Sequence, residues 1–509
     1  MIRAFKKESV FGFSIRQSAA RMMADKSRYT CGITLRENQG EATRKAIKFF
    51  AEKKPQPSLI VLPTAWGKSI LTAFVAKACT DKLIVLQPSK ELLDQNYKKY
   101  CTLCGGFGVD AEIYSASFNK KEFGRVTYAT IGSIKNIGKT FKQMGYTKLL
   151  IDEAHLYPRS MDSMLGKFLK DSEITHVLGI TATPLKLQSN FSRDGQPFSK
   201  LVMLTQRSKE GKFYKKILHV GQVEEMVRLG FWSPLQYQCG EFDASLLEFN
   251  SAGSEYTDES VERAHEANGG SCRIVNVLNQ HPERRHILAF AHSVKEAIRL
   301  SEVYPNSGVV YGMQDKKVRA ETIERFVRGE IRVLFNVRVL STGFDYTGID
   351  CIVMGTSTAS VALYYQILGR GTRIDPNKKD CLIADLGGNV NRFGRIEDIT
   401  FEQGASGMWR MFGSGGRLMT GIPVCDIGTI YREDVERIEA NREEIIAAAR
   451  EQREKTEMRK RAAAELMPFG KYKGRTLKDV PMRYRLWLLR NFSWDERNAR
   501  LRDFLKASL

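Results

Sequence analysis

Short apolar runs alternate with longer stretches of helical periodicity along most of this chain. Runs of this length, rich in Val, Ile and Leu, are typical of strands in a parallel sheet that is covered on both faces. The predicted strands form two sets, 59–62, 83–86, 126–128, 149–151 and 177–180, then 287–290, 309–311, 333–335, 351–354 and 381–384. The pattern therefore predicts an α/β fold with two tandem parallel-sheet domains.

The stretches outside these two sets predict the domain boundaries. Six glycines between Gly404 and Gly421 interrupt the pattern and predict a loop or a domain edge. Residues 431–466 are rich in Glu, Arg and Ala, a composition suited to a long solvated helix that connects two units. The predicted divisions are a basic arm or targeting segment at 1–30, domains at 31–220 and 221–400, a Gly-rich loop region at 401–430, a charged helical connector at 431–466 and a small basic module at 467–509.

Composition narrows the class of protein. The 509 residues are 42% hydrophobic and 27% charged, which is typical of a soluble globular protein. No apolar run approaches the roughly 18 residues that a membrane helix requires, so a membrane-embedded protein is not expected. Nine scattered cysteines argue against a disulfide scaffold and favour a reducing cytoplasm. The pair Cys101 and Cys104 lacks the two further ligands of a zinc site, so free thiols are expected there.

The basic excess is concentrated at the two ends. Lys and Arg number 79 against 58 Asp and Glu, a net charge of +21. Residues 1–36 hold eight basic and two acidic residues, and residues 467–509 hold eleven and four. Clustered positive charge favours binding to nucleic acid, because phosphate neutralisation dominates that affinity. A solvated basic surface that maintains solubility is the alternative.

The basic, acid-poor stretch at residues 1–28 admits three interpretations. It has the composition of an organelle transit peptide, which would place the protein in an organelle matrix. It also fits an upstream start ahead of Met22 or Met23, and it fits a simple basic arm.

A phosphate-binding loop is predicted where the first strand meets the next helix. Residues 63–69 read P-T-A-W-G-K-S and precede an apolar helix at 70–78. In this context the backbone N–H groups of the loop face phosphates, Lys68 reaches the β and γ oxygens, and Ser69 holds Mg²⁺. The strict pattern would place Gly where this chain has Leu62, and a turn glycine followed by a surface lysine is the alternative. The predicted ATP-binding residues of the loop are Thr64, Gly67, Lys68 and Ser69.

Two adjacent carboxylates follow the predicted strand at 149–151. Because neighbouring side chains at a strand end point to different faces, Asp152 can hold Mg²⁺ while Glu153 orients and deprotonates the attacking water. Acidic residues are also favoured at helix N-termini, which is the alternative. Together with Lys68, the pair predicts the hydrolysis of a phosphoanhydride.

With these two sites, residues 35–390 resemble a superfamily two DEAH-box helicase or translocase. The segment L-R-E-N-Q at 35–39 is similar to the family's adenine-reading segment, and D-E-A-H stands at 152–155. The segment G-I-T-A-T-P at 179–184 is similar to the motif that couples hydrolysis to domain movement, and Q-I-L-G-R-G-T-R at 366–373 is similar to the sixth motif. The resemblance implies two tandem RecA-like domains.

The resemblance also implies roles for individual residues. The residues implied to contact ATP are Arg36, Gln39, Gly343 and Asp345, and those implied to couple hydrolysis to movement are His155, Thr181 and Thr183. The residues implied to contact nucleic acid are Pro88, Ser89, Lys90, Thr130, Ser133, Ser293 and Thr342. The residues implied in catalysis are Gln366, Arg370 and Arg373. The guanidinium groups of Arg370 and Arg373 can clamp γ-phosphate oxygens only when the second domain closes over the first. Binding of a structural phosphate or a surface carboxylate is the alternative for these arginines.

Within the superfamily, residues 336–343, 366–373 and 380–385 look most like bacterial and phage RadD-like DNA-repair ATPases. Those enzymes carry cysteine-rich zinc motifs after the motor, and this chain does not. The resemblance favours DNA over RNA as the partner, and it favours a bacterial or phage-infected cell.

The last segment resembles a small module of phage and bacterial proteins. Its first residues, 467–475, read M-P-F-G-K-Y-K-G-R. An extended conformation would place the basic side chains on one face and Tyr472 on the other. These basic residues, which would contact a phosphate backbone, are Lys471, Lys473 and Arg475. Docking of a protein partner is the alternative role.

A helix is predicted to begin near Pro481 and to complete this module. Its apolar stripe at i, i+4 and i+7 consists of Met482, Leu486 and Leu489. Tyr472 and Trp487 are predicted to lie in the core rather than to stack on bases.

The combined prediction is an ATP- and Mg²⁺-dependent helicase or translocase, monomeric, acting on DNA in repair, recombination or replication. A duplex-DNA translocase that never separates strands and an RNA helicase would share every motif. A nucleotide-gated binding module would be suggested by degraded catalytic residues, whereas Lys68, Glu153 and Arg373 are all present.

Overall fold

The computed structural model describes residues 35–104, 110–157, 162–192, 197–206, 213–340, 346–438, 465–495 and 498–507, with isolated residues between these ranges. Contacts divide the chain into two units, Met1–Tyr431 and Arg432–Leu509. The predicted basic arm at 1–30 lies outside the described residues. No helix in the described part of the chain is both long and apolar enough to span a bilayer.

The first lobe of the larger unit is built on a mainly parallel sheet. Its strands are β1 (Ser58–Val61), β2 (Leu83–Leu86), β3 (Ala111–Ser115), β4 (Lys120–Lys121), β5 (Val126–Ala129), β6 (Lys148–Ile151), β7 (His176–Thr181), β8 (Leu185–Phe191), β9 (Pro197–Met203) and β10 (Lys216–Val220). The order across the described sheet is β10-β1-β7-β6-β2-β5-β3-β4, and only the pair β3 and β4 is antiparallel. Strands β1, β2, β5 and β6 are buried along their whole length, which is why their sequences are mostly apolar.

Helices cover both faces of this sheet. They are α1 (Glu37–Phe50), α2 (Lys68–Ala78), α3 (Lys90–Cys104), α4 (Ile131–Ile134), α5 (Gly138–Gln143) and α6 (Met164–Ser172), with 3₁₀ turns at Ala116–Phe118 and Ala154–Leu156. Aromatic rings fill the space beneath α5 and α6, where Phe141 packs edge-on against Tyr146 and Phe168. This packing fixes the positions of the loops at the carboxyl edge of the sheet.

The second lobe repeats the parallel architecture. Its strands are β11 (Leu235–Cys239), β12 (Ile287–Phe290), β13 (Ser307–Val310), β14 (Val333–Asn336), β15 (Cys351–Met354) and β16 (Cys381–Asp385). They lie in the order β11-β16-β15-β12-β14-β13 in the described sheet. The helices are α7 (Val223–Arg228), α8 (Asp258–Ala267), α9 (Gly270–Gln280), α10 (Val294–Val303), α11 (Lys316–Val327), α12 (Val361–Leu368) and α13 (Asn389–Phe393), followed by a 3₁₀ turn at Ile396–Asp398.

The prediction of two tandem α/β domains is confirmed, and each predicted strand is present within two residues of its predicted bounds. The antiparallel hairpin of β8 and β9 was not predicted. It follows the segment 179–184 directly and reaches the second lobe, where Ser199 Oγ donates to Ala252 O (2.5 Å) and Gly421 N donates to Leu201 O (2.7 Å).

The interpretation of residues 401–430 as a loop region is wrong for its first half. An antiparallel sheet is formed there by β17 (Thr400–Gln403), β18 (Trp409–Gly413) and β19 (Arg417–Leu418). Gly404 and Gly407 lie in the turn between β17 and β18, where Gly404 N donates to Met408 O (2.9 Å). The glycines therefore mark tight turns between short strands, and they do not mark an unstructured segment.

The smaller unit begins with helix and ends in a compact module. The described residues between 432 and 464 are helical, as their composition predicts. Helices α14 (Met482–Asn491) and α15 (Ala499–Ala507) follow. The module's core consists of Met467, Leu477, Val480, Leu488, Leu501 and Leu505.

Two predictions for this module are wrong. Residues 471–474 form a turn rather than an extended strand, because Gly470 and Gly474 adopt left-handed conformations (φ 78° and 76°). Lys471, Lys473 and Arg475 are exposed on and beside this turn.

The second wrong prediction concerns Trp487, which was expected in the core and is 54% exposed. The predicted apolar stripe of α14 holds in part, because Leu489 packs against the core beside the buried Leu488, whereas Met482 is 55% exposed. The Trp487 ring stacks on Tyr484, with centroids 5.8 Å apart, so the helix turns an aromatic face outward. Tyr472 packs partly buried against the core, as predicted.

Candidate active site

The phosphate loop joins β1 to α2 by a sharp reversal of the chain. Leu62 N donates to Thr181 O (2.9 Å), so pairing with β7 continues to the first residue after β1. Ala65 (φ 56°) and Gly67 (φ 98°) then adopt left-handed conformations, and Lys68 begins α2. The N–H groups of the first helical turn lack intrahelical partners, and such a turn binds anions.

Gln39 holds this loop from outside. Its Nε2 donates to Trp66 O (2.9 Å), and its Oε1 accepts from Arg36 N (3.1 Å). A Cβ at Gly67 would lie 2.6 Å from Gln39 Nε2, so the close contact requires glycine. The Arg36 guanidinium stacks 3.8 Å above the Phe231 ring. Gln39, the predicted adenine-reading residue, is thus in direct contact with the loop, and Arg36 contacts Gln39.

The acid pair lies at the end of β6, beside the phosphate loop. Asp152 is 5% exposed and accepts a hydrogen bond from Asn96 Nδ2 (3.1 Å). Glu153 forms an ion pair with Lys68. Its backbone is left-handed (φ 46°), which non-glycine residues rarely adopt. The two carboxylates therefore have different partners, an amide for one and an ammonium for the other.

The pKa values of the two carboxylates are shifted in opposite directions. Burial raises the pKa of Asp152, and the negative charge of Glu153 raises it further. Burial alone would raise the pKa of Glu153 too, but Lys68, His155 and Arg370 together outweigh burial and hold that pKa below its ordinary value. Of the two carboxylates, Glu153 is accordingly the one whose charged form is favoured.

His155 connects the acid pair to both lobes. Its Nδ1 lies 2.8 Å from Thr181 Oγ1 and 3.5 Å from Glu153 Oε2. Its Nε2 lies 3.2 Å from Gln366 Nε2, across the cleft in the second lobe. Because the amide nitrogen of Gln366 can only donate, Nε2 accepts and Nδ1 carries the proton that Thr181 accepts. Thr183 N donates to the same hydroxyl (3.1 Å).

The second lobe approaches the phosphate loop closely at Gly369. A Cβ there would lie 2.7 Å from Thr64 Oγ1, so no larger residue fits. Arg370 Nη1 donates to Phe344 O (2.8 Å), and Arg373 Nη1 donates to the same oxygen (3.4 Å). A shared backbone carbonyl thus holds both guanidinium groups near the cleft.

Several residues of the site carry no sequence signal of their own. Trp232 Nε1 donates to Thr64 O (3.0 Å) from the segment between α7 and β11 of the second lobe. Asn96 donates to Gln87 Oε1 (2.9 Å) as well as to Asp152. These contacts join positions far apart in the chain, and only the fold brings them together.

The predicted nucleic-acid residues of the first lobe lie along the carboxyl edge of its sheet. Ser89 Oγ accepts from Leu92 N (3.2 Å), and the Lys90 ammonium lies 5.1 Å from the centre of the Phe118 ring. Thr130 Oγ1 lies 3.0 Å from Ser133 Oγ. Pro88 borders these residues after β2.

In the second lobe, Ser293 Oγ accepts from Glu296 N (3.2 Å) at the start of α10. Thr342, Gly343 and Asp345 lie outside the described residues.

Comparison with protein families agrees with this arrangement. Residues 32–186 match the family described as "Type III restriction enzyme, res subunit", and residues 271–375 match "Helicase conserved C-terminal domain". The two matches cover the phosphate loop, the acid pair and the paired arginines, and they support a relationship to helicase superfamily two. Residues 455–494 match "Putative quorum-sensing-regulated virulence factor".

Two curated relatives match more than half of this chain. A putative mitochondrial ATP-dependent helicase irc3 of Schizosaccharomyces pombe is 24% identical over 383 residues, which are 72% of this chain and 60% of that protein. A 51.5 kDa protein of Lactococcus phage (isolate 7-9) is 23% identical over 337 residues, which are 64% of this chain and 65% of that protein. This chain thus spans less than two thirds of the length of either relative.

Solved structures share the fold. A fragment of a putative HsdR subunit of a type I restriction enzyme from Vibrio vulnificus superposes with a TM-score of 0.51 at 18% identity, covering 73% of this chain and 68% of that chain. The type ISP restriction–modification enzyme LlaBIII bound to DNA gives 0.50 at 16% identity, over 70% of this chain and 28% of that chain. Both likenesses support the RecA-like architecture of the two lobes.

Replacing the ion pair at the phosphate loop tests the hydrolytic site. We expect Lys68→Ala to impair ATP binding or turnover, and Glu153→Gln to retain ATP binding but lose most turnover, because the proton acceptor is lost while Asp152 remains. Steady-state ATPase assays and nucleotide-binding titrations measure both effects. The surface pair Lys142 and Glu173 (2.6 Å) offers matched controls, Lys142→Ala and Glu173→Gln. Wild-type turnover in either site variant would contradict the assignment.

Arg373→Ala is expected to lower kcat, and with it kcat/KM, while ATP affinity changes little. The reason is that the guanidinium would meet the γ-phosphate mainly in the closed, transition-state arrangement. Arg325→Ala is the control, because Arg325 is an exposed arginine of the same lobe that pairs with Glu330. Weakened ATP binding with unchanged turnover at saturation would make Arg373 a ground-state ligand instead.

Proposed function

We propose that this protein is an ATP-dependent helicase or translocase that hydrolyses ATP in the cleft between its two lobes and moves on nucleic acid. The observation that carries the proposal is the line of contacts from Glu153 through His155 to Gln366. It joins the candidate hydrolytic base in the first lobe to the arginine segment in the second. A motor needs such a link, because its hydrolysis must depend on the relative position of the lobes.

Each candidate residue has a role in this proposal. Glu153 accepts the proton of the attacking water, and Lys68 neutralises the β and γ phosphates. Arg36 and Gln39 hold the adenine, while Thr64 and Gly67 shape the loop. Arg370, Arg373 and Gln366 act from the second lobe, with Gly343 and Asp345 as further ATP contacts.

The residues present also fit a divalent cation. Asp152 is a buried carboxylate next to the loop, and Ser69 is a half-buried hydroxyl in the first turn of α2. Oxygen ligands of this kind are those that Mg²⁺ prefers. Asp152 and Ser69 would hold the ion, which would supply neutralisation of phosphate charge when bound.

Coupling is assigned to the hydroxyl and imidazole groups between the two sites. Thr181 binds both His155 and the backbone of Thr183, so a shift of the segment 181–184 changes the position of the His155 ring. The same ring contacts Gln366 in the second lobe. Lobe closure thereby changes the position of the His155 side chain, which borders Glu153.

DNA is the proposed substrate, with the DEAH-box and RadD-like resemblance as support and repair, recombination or replication as the setting. The protein is proposed to act as a monomer in the cytoplasm of a bacterial or phage-infected cell. The carboxyl edge of the first sheet, with Ser89, Lys90, Thr130 and Ser133, is the proposed track for the strand, together with Pro88, Ser293 and Thr342. A duplex translocase and an RNA helicase share this site and differ in the substrate that stimulates them.

ATPase rates measured without nucleic acid and then with single-stranded DNA, duplex DNA, forked DNA and RNA test the proposal. We expect stimulation by DNA to exceed stimulation by RNA, with Glu153→Gln inactive under every condition. The largest stimulation by RNA would favour the RNA helicase. Stimulation by duplex DNA without strand separation in an unwinding assay would favour the translocase. A rate unaffected by every nucleic acid would contradict the motor assignment.

The module at 467–509 is proposed as an additional grip on nucleic acid. Its exposed turn carries three basic side chains, and Trp487 and Tyr484 form an outward aromatic stack of the kind on which bases stack. Protein docking is the alternative.

A charge-removing variant of this turn distinguishes grip from docking. Changing Lys471, Lys473 and Arg475 to Gln together should leave basal ATPase unchanged and weaken nucleic-acid binding. The slope of log K against log salt should become shallower by about 0.9 per lost phosphate contact on duplex DNA, and by about 0.7 on a single strand. The control changes Lys48, Lys53 and Lys54, exposed residues before β1, to Gln. An unaltered slope in the module variant would favour docking.

A further inference from the structure

Three side chains of the second lobe converge away from the ATP cleft. His265 comes from α8, Glu296 comes from the first turn of α10, and His292 lies just before α10. His265 Nε2 lies 2.6 Å from Glu296 Oε1, and His292 Nδ1 lies 2.7 Å from Glu296 Oε2. In the described part of the chain, no other group of three or more His, Cys, Asp or Glu side chains has its ligand atoms all within 4.8 Å of one another.

The group is buried. The side chains of His265, His292 and Glu296 are 8%, 9% and 2% exposed. A carboxylate removed from water is costly unless a positive charge compensates it. The centroids of the two imidazole rings are 4.7 Å apart, and one nitrogen of each ring lies near a different oxygen of the carboxylate. The site thus surrounds one negative charge with two nitrogen donors.

A network of ordinary hydrogen bonds accounts for only part of this geometry. His265 Nε2 is within hydrogen-bonding distance of Glu296, but the buried His292 Nδ1 makes no hydrogen bond although Glu296 Oε2 is 2.7 Å away. A ring nitrogen and a carboxylate oxygen this close form an ion pair when the ring is protonated, and both can bind one cation when the ring is neutral. His292 Nδ1, which makes no hydrogen bond, is therefore a ligand atom available to an ion between the side chains.

Neighbouring groups hold the carboxylate in place. Ser271 Oγ donates to Glu296 Oε1 (2.7 Å), and the backbone N of His292 donates to Glu296 Oε2 (3.1 Å). Arg299 in turn donates to Ser271 Oγ (2.9 Å). Supporting hydrogen bonds of this kind orient the ligands of metal sites in proteins.

We propose that His265, His292 and Glu296 bind a divalent transition-metal ion of the Zn²⁺ type. Two imidazoles and one carboxylate form a ligand set that Zn²⁺ accepts, at about 2.0–2.2 Å per bond. Tetrahedral ligands at that distance are about 3.4 Å apart, so side-chain adjustments of about an ångström suffice. The ion would fasten α8 to the start of α10, where Ser293 caps the helix.

The metal alone is the probe, and the whole chain is the sample. Protein stripped with a chelator and reloaded with Zn²⁺ should retain one equivalent per chain after dialysis, measured by elemental analysis, and its Tm should rise. Reloading with Co²⁺ should give visible d–d bands without the near-ultraviolet charge-transfer band of a cobalt–thiolate bond. That absence matters because Cys239, Cys272 and Cys425 are exposed thiols that bind metals adventitiously.

Variants assign the metal to these side chains. We expect Glu296→Gln and His265→Ala to lose the retained equivalent and the Zn²⁺-dependent rise in Tm. His281→Ala is the matched control, because His281 pairs with Glu283 (3.3 Å) on the surface of the same lobe. Lys68→Ala should keep the metal, which separates this site from the ATP site.

Three results would overturn the proposal. They are a wild-type protein that retains no Zn²⁺, a cobalt spectrum dominated by thiolate bands, and equal Zn²⁺ retention by Glu296→Gln and wild type. The wild-type cobalt spectrum decides the question even where a variant fails to fold, because it reports the ligand atoms directly.

Discussion

Parallel pairing of β1, β7 and β6 is the constraint on which the ATP site depends. Parallel neighbours bring their carboxyl ends to one edge, so the phosphate loop, the segment 181–184 and the acid pair lie side by side. More than eighty positions separate Lys68 from Glu153 in the chain, yet they form an ion pair. The chemistry of the site is therefore a product of strand order, and any rearrangement of these three strands would separate its parts.

The ion pair itself shows how the site tolerates buried charge. Removing one partner of such a pair leaves the other uncompensated, which costs more than the pair contributes. Lys68 and Glu153 satisfy one another while Asp152 relies on the neutral amide of Asn96. The same side chains thus contribute to both function and stability. For variants at Lys68, the ATPase assay is therefore accompanied by a measurement of folding.

Much of the fold could be predicted from the sequence, because buried parallel strands leave continuous apolar runs such as 83–86 and 351–354. The acid pair and the phosphate loop were also predictable, since strand ends position them. Trp232 and Asn96 were not, because their contacts join distant segments without a motif. The prediction for 401–430 was wrong because glycine content alone does not distinguish a loop from tight turns between short strands. The prediction for 471–474 was wrong because it used the alternation of basic residues and ignored Gly470 and Gly474, whose left-handed conformations form a turn.

The hairpin of β8 and β9 limits the ways in which the lobes can move. One covalent connection, the chain between β10 and α7, already joins the lobes. The contacts of Ser199 with Ala252 and of Leu201 with Gly421 add a second attachment from the hairpin. A body held at two separated points can rotate only about the line that joins them. While both attachments hold, the lobes can rotate relative to each other about one axis only, and independent reorientation of each lobe is excluded.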